Sequence, residues 1–346
     1  MTLERIGYIE LPAHAGSGGF DHAAVHGRRG LVYVAHTAND AVDVIDCGTN
    51  TYLRSISGLP RVAGALVSEE HDLVFTSNRG ENTVGMFTPA SEQTLAKVQV
   101  GIGPNGLAYD PDRRLLLAAN VGDPARPGSF SASIVDVQAH TLLSDVRVPG
   151  RTRWAIFDRE RGRFYVNIAD PAEIVIIDSS DPTRVAGSFP VPAAGPHGLD
   201  FDSATGRLFC ACDGKTLVVI DADSGAATSR HQLAGVPDVV FFNPELRRLY
   251  VAIGDPGVID VFDTETMRRL ESFVTEAGAH TIGFDAGRSV VYAFLPETHR
   301  AAICRDSGSA PYARCSNPLV SWGAKRRVTR AARRKSRPRV RPSFVS

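Results

Sequence analysis

A tract of three parts recurs along this chain and constrains its fold more than any other feature. It is clearest at Gly195-Pro196-His197-Gly198-Leu199-Asp200-Phe201-Asp202, followed by Gly206-Arg207-Leu208-Phe209 and then Leu217-Val218-Val219-Ile220-Asp221. The three parts read as strands separated by Asp/Gly turns. A large buried-type residue in the second strand recurs at Tyr33, Phe75, Leu117, Tyr165, Phe209, Tyr250 and Tyr292, in steps of 42, 42, 48, 44, 41 and 42. The third strand recurs as Val42–Asp46, Val84–Phe87, Ser133–Val137, Ile174–Asp178, Leu217–Asp221 and Val258–Asp263. A weaker fourth strand follows, as in Tyr52–Ser57 and Leu270–Val274. Four short strands per repeat of this length predict the blades of a β-propeller.

The ends of the chain complete the count. Arg5–Leu11 reads as a fourth strand without its first three, and the last repeat, from His280 to about Cys304, has three strands without a fourth. Pairing them would close the ring and remove an open sheet edge. The prediction is an all-β, seven-bladed propeller of four-stranded antiparallel blades, a single domain over residues 1–306. Blade 3 carries the largest insertion, Val121–Phe130.

Composition then matters in two places. Residues 307–346 hold eleven Lys or Arg and no Asp or Glu. The whole chain has 38 of each sign, which leaves 27 basic and 38 acidic residues, a net of −11, in residues 1–306. An acidic propeller is therefore followed by a basic tail, expected to be disordered and able to contact polyanions. The five cysteines, Cys47, Cys210, Cys212, Cys304 and Cys315, show no regular spacing and read as small packing residues, reduced thiols rather than a disulfide framework. No run of roughly 18 apolar residues suggests a membrane span. The first residues do not read as a secretory leader, so a cytoplasmic monomer is expected.

The Gly-Pro-x-Gly-Leu, Gly-Arg-Leu and Val-x-Val-Ile-Asp elements, with Val32-Tyr33-Val34-Ala35 and Leu249-Tyr250-Val251-Ala252, resemble the YVTN β-propeller repeat family, including YncE-like proteins. The resemblance spans about residues 5–305. It implies the fold. Propellers of this kind include lactonases, lyases and binding proteins, so it does not settle the chemistry.

Site residues follow from repeat position. Twelve residues before each second-strand marker, or eleven in blade 1, lie His22, Ala63, Asn105, Arg153, His197, Asp238 and His280. This position begins the strand expected to line the central channel, at one mouth. His197, Asp238, His280 and His22 fall in adjacent blades 5, 6, 7 and 1. Imidazoles and a carboxylate converging on one axis are what a divalent metal ion needs. Arg153 beside them could hold a carboxylate or phosphate, and Asn105 could help. Three residues after each marker lie His36, Asn78 and Asn120 in blades 1–3, expected on the same face.

Two functions stay open. One is a propeller that binds a small molecule or a protein at its polar funnel. The other is a metal-dependent hydrolase or lyase, lactonase-like, in which a metal ion polarises a carbonyl or activates water and His36 or another funnel histidine moves a proton. No Walker loop, dinucleotide fingerprint or Ser-His-Asp spacing is present.

Overall fold

The computed structural model describes residues 2–90 and 95–308. The basic tail, with its expected disorder and polyanion contact, lies almost wholly outside the described residues.

The second strands form where apolar and β-branched residues run without a break. Leu31–His36, Leu73–Asn78, Leu115–Asn120, Arg163–Ile168, Arg207–Cys212, Arg248–Ile253 and Val290–Leu295 are buried almost throughout. A strand buried on both faces reads as a continuous apolar run rather than an alternation. In five of the seven blades an aspartate or asparagine stops the inner strand before them. Asp110 accepts the N–H groups of Asp112 and Arg113 at 2.9 and 3.1 Å, Asp158 those of Glu160 and Arg161, and Asn243 those of Glu245 and Leu246. These side chains hold the turn that sends the chain back.

The result is seven four-stranded antiparallel sheets. In six of them the strands follow chain order. In the seventh, Thr281–Asp285, Val290–Leu295 and Arg300–Asp306 are completed by Leu3–Glu10 from the start of the chain. Leu3 pairs with Asp306 and Glu10 with Arg300, with one register shift between Arg5 and Gly7. The backbone N–H groups of Thr2 and Leu3 also donate to the Glu271 carboxylate of blade 6, at 2.6 and 3.2 Å. Closure by the N-terminal strand is thus observed as predicted.

The seven markers are all buried, at 0–1 % exposure. They pack across blade boundaries. Tyr33 lies with Val62 and Ala65 of blade 2, Tyr165 with Leu199 and Leu208 of blade 5, and Tyr250 with Ile282 and Val291 of blade 7. A blade cannot bury both faces alone, and its neighbours supply the core. Inner strands pack side by side around the ring, with Thr281–Asp285 against Ala23–His26 at the closure. Cys47, Cys210, Cys212 and Cys304 are buried free thiols. Among the described residues no helix is long and apolar enough to cross a membrane.

Candidate ligand site at the channel mouth

The repeat position singled out in the sequence is the bulge of the inner strand. In blade 5 Pro196 pairs with Cys212 and Gly198 with Ala211, so His197 is an extra residue against the ladder. Similar slips bracket Ala63, Asn105, Arg153 and Asp238. A bulge leaves its residue unpaired and re-aims the side chain. These five are the second residues of their strands, not the first. His22 and His280 stand just before Ala23–His26 and Thr281–Asp285. Gly198 is demanded by packing, because a Cβ there would collide with the backbone oxygen of Asp238. Its absence lets blades 5 and 6 close together at the mouth.

The side chains of blades 4 to 7 converge. His197 Nδ1 is 2.7 Å from Asp213 Oδ1, and Arg153 donates to Asp213 Oδ2 at 3.2 Å. His197 Nε2 lies 3.3 Å from Asp238 Oδ1 and 3.4 Å from Arg153 Nη1. His280 Nε2 is 3.9 Å from the other Asp238 oxygen. With Nδ1–H donating to Asp213, neutral His197 turns a lone pair toward Arg153, and protonated His197 can donate to Asp238. Burial works to raise the Asp213 carboxyl, but the His197 hydrogen bond and the His197, Arg153 and Arg151 charges outweigh it and hold it below its ordinary value.

His22 completes the arc. It is 6 % exposed, its ring 4.1 Å from that of Trp154, and its Nε2 is 3.3 Å from Asp21. Burial lowers its pKa; Asp21 and Asp238 oppose the shift, while Arg79 and His197 add to it. Arg79 donates to Asn105 Oδ1 at 2.5 Å and lies 3.4 Å from Asp21. Arg151 reaches solvent at the rim. Partial loss of water there pushes its guanidinium below the ordinary value, with the Arg153 and Arg79 charges adding. No carboxylate among the described residues is paired with Arg151. Arg79 Nε and Arg153 Nε are buried donors with no partner among the described residues.

A metal ion fits this arrangement poorly. Among the described residues no three His, Cys, Asp or Glu side chains are placed to hold one. His197 Nδ1 is engaged by Asp213, and its Nε2 faces a guanidinium, which would repel a dication. His22, His197, Asp238 and His280 therefore share the mouth as near neighbours held by Asp21, Asp213 and one another, without a formed ligand set.

The strand-end residues have a different place. His36, Asn78 and Asn120 are at 0 % exposure. Asn78 donates to Thr83 and Asn120 to Ser131 and Ser133 within their own blades. His36 Nδ1 is 2.7 Å from buried Asp43, and its Nε2 is 2.7 Å from His14. These side chains hold blades together and do not line the mouth. One residue further on, side chains turn into the mouth, at Arg79 and Asp213. Arg79, Arg151, Asp21 and Asp213 were missed because they sit beside the repeat positions that were counted. The two-residue alternation of strands was the signal that could have found Arg79 and Asp213.

No family model matches the chain, and no curated protein matches it. Among solved structures it is similar to hydrazine synthase from Kuenenia stuttgartiensis, at a TM-score of 0.75 and 11% identity, over 86% of this chain and 99% of that one. It is also similar to a chain of a mitotic checkpoint complex, at a TM-score of 0.73 and 10% identity, over 87% of this chain and 91% of that one. Identities this low speak for the β-propeller fold alone.

Proposed function

We propose that this chain is a ligand-binding β-propeller of the YncE-like kind whose channel mouth captures a small anion bearing a carboxylate or phosphate. The observation that carries the reading is the gathering of Arg79, Arg151 and Arg153 beside His22, His197 and His280, with no carboxylate among the described residues paired with Arg151. The outward guanidinium N–H groups of Arg151 have no carboxylate partner among the described residues, and an anion's oxygens would accept from them. Guanidinium groups match planar carboxylate and phosphate oxygens with paired hydrogen bonds. Asp21, Asp213 and Asp238 hold the cations in place and offset their charge, which favours a compact ligand over a large polyanion.

Calorimetric titration with citrate and with inorganic phosphate tests this. Binding to the wild type should weaken by about tenfold or more in Arg153→Ala, the equivalent of losing one charge-assisted hydrogen bond of about 1.5–3 kcal/mol. Zinc, nickel, manganese and copper form the second arm. Metal binding that is lost in His197→Ala, with no anion binding, would replace this reading with the metal-dependent one.

A further inference from the structure

Below the mouth, the residues paired with the seven buried markers form one layer around the channel. Six are Ala24, Leu66, Ala108, Ile156, Phe241 and Gly283. The seventh, opposite Phe209, is Asp200. Packing in this layer accepts apolar residues in five blades and glycine in a sixth, so a carboxylic acid in blade 5 calls for its own explanation.

Asp200 borders a cavity of ≈ 490 Å³, within the range of small-molecule sites. Trp154, Ile156, Phe241 and Phe284 supply much of its wall. His22, packed on Trp154, closes the end toward the mouth. The cavity runs the other way to Glu69 and Glu70, in the turn after the blade 2 inner strand. Those two are flanked by Arg28, 3.6 Å from Glu69, and Arg159, 2.9 Å from Glu70.

Asp200 Oδ1 accepts the N–H of Phe201 at 2.8 Å, and Oδ2 accepts that of Phe242 at 2.6 Å. Among the described residues no Arg, Lys or His forms an ion pair with it. Burial pushes its pKa up to about 7, against the pull of the two backbone donors. The carboxylate thus stands in an apolar chamber with lone pairs to spare and no countercharge.

We propose that this cavity binds a monovalent organic cation, a protonated amine or quaternary ammonium on an apolar body, with its charge at Asp200 and its body against Trp154, Phe241 and Phe284. An ion pair gains strength where water is scarce, and Asp200 is only partly exposed. Aromatic faces attract cations and pack the apolar part. Among the described residues no three His, Cys, Asp or Glu side chains are placed to hold a divalent metal ion there, and Asp200 repels the anions proposed for the mouth.

The full chain is titrated at pH 8 with benzylamine, benzyltrimethylammonium and benzyl alcohol. Both cations should bind at least tenfold more tightly than the alcohol. Asp200→Asn and Asp200→Leu should each lower cation affinity by tenfold or more and leave the alcohol unchanged. Leucine matches the apolar layer but leaves both backbone donors unmet, whereas asparagine keeps an acceptor for one of them, so a folded form is expected of at least one variant. Arg153→Ala should leave cation binding unchanged, which separates this site from the mouth. The proposal is overturned if none of the three probes binds, if alcohol and cation bind equally, if a folded Asp200 variant keeps its cation affinity, or if Arg153→Ala abolishes it.

Discussion

Deleting residues 2–11 removes the strand that closes the ring, and its effect can be estimated from what that strand buries. Leu3, Ile9 and Leu11 are 0, 3 and 8 % exposed. Burying such a side chain fully contributes about 1.5–3 kcal/mol, so the three contribute roughly 5–9 kcal/mol, an upper bound because unfolded chains already bury some surface. The ladder from Leu3–Asp306 to Glu10–Arg300 and the Glu271 contacts are lost as well. Domains are stable by only about 5–15 kcal/mol. The deletion should therefore remove most of the stability and expose Arg300–Asp306 as a pairing edge. Urea unfolding and size-exclusion chromatography read both effects. The expected result is a sharply lowered midpoint, or no cooperative transition, together with aggregates. Leu3→Ala alone should cost about 2–5 kcal/mol. A truncated monomer with an unchanged midpoint would refute closure as a source of stability.

Other outcomes follow from single buried groups. His36→Ala strips Asp43, also held by Ser55 at 2.5 Å, of its ring partner; it should cost about 3–5 kcal/mol in denaturant unfolding and leave anion affinity at the mouth unchanged. Tyr250→Phe removes the hydroxyl that donates to buried Asp306 at 2.9 Å and should cost about 1–3 kcal/mol by the same assay. Asp200, raised to about 7 when folded, keeps its proton in the folded protein where the unfolded chain has released it. Its contribution is full below about pH 4 and is lost as pH rises through 7, by up to about 4 kcal/mol. Asp200→Leu should therefore flatten the fall in melting temperature between pH 5 and pH 8, and an unchanged slope would contradict the buried charge.

The fold was legible because a large buried residue recurs in every blade, and a turn aspartate in most of them, at a nearly fixed step. The half-blades at the ends were legible for the same reason. The mouth was legible only at positions obeying the repeat. His197 and Asp238 were found because bulges recur in register. Arg79 and Asp213 were not, because one residue along a strand reverses the direction of a side chain. His36, Asn78 and Asn120 were placed at the ligand face because polar residues at strand ends read as exposed. Their partners Asp43, Thr83, Ser131 and Ser133 sit on the neighbouring third strand, and only the sheet register brings them together. Asp200 was not singled out in the sequence, because the apolar layer it interrupts is defined by strand pairing with the markers.

The most direct test of the anion-binding mouth is a crystal structure of the protein soaked in citrate. The account predicts a carboxylate seated between Arg79, Arg151 and Arg153, within hydrogen-bond distance of Arg153, with His197 still on Asp213. A mouth holding only water at saturating citrate, or a metal ion shared by His197 and His280, would contradict it.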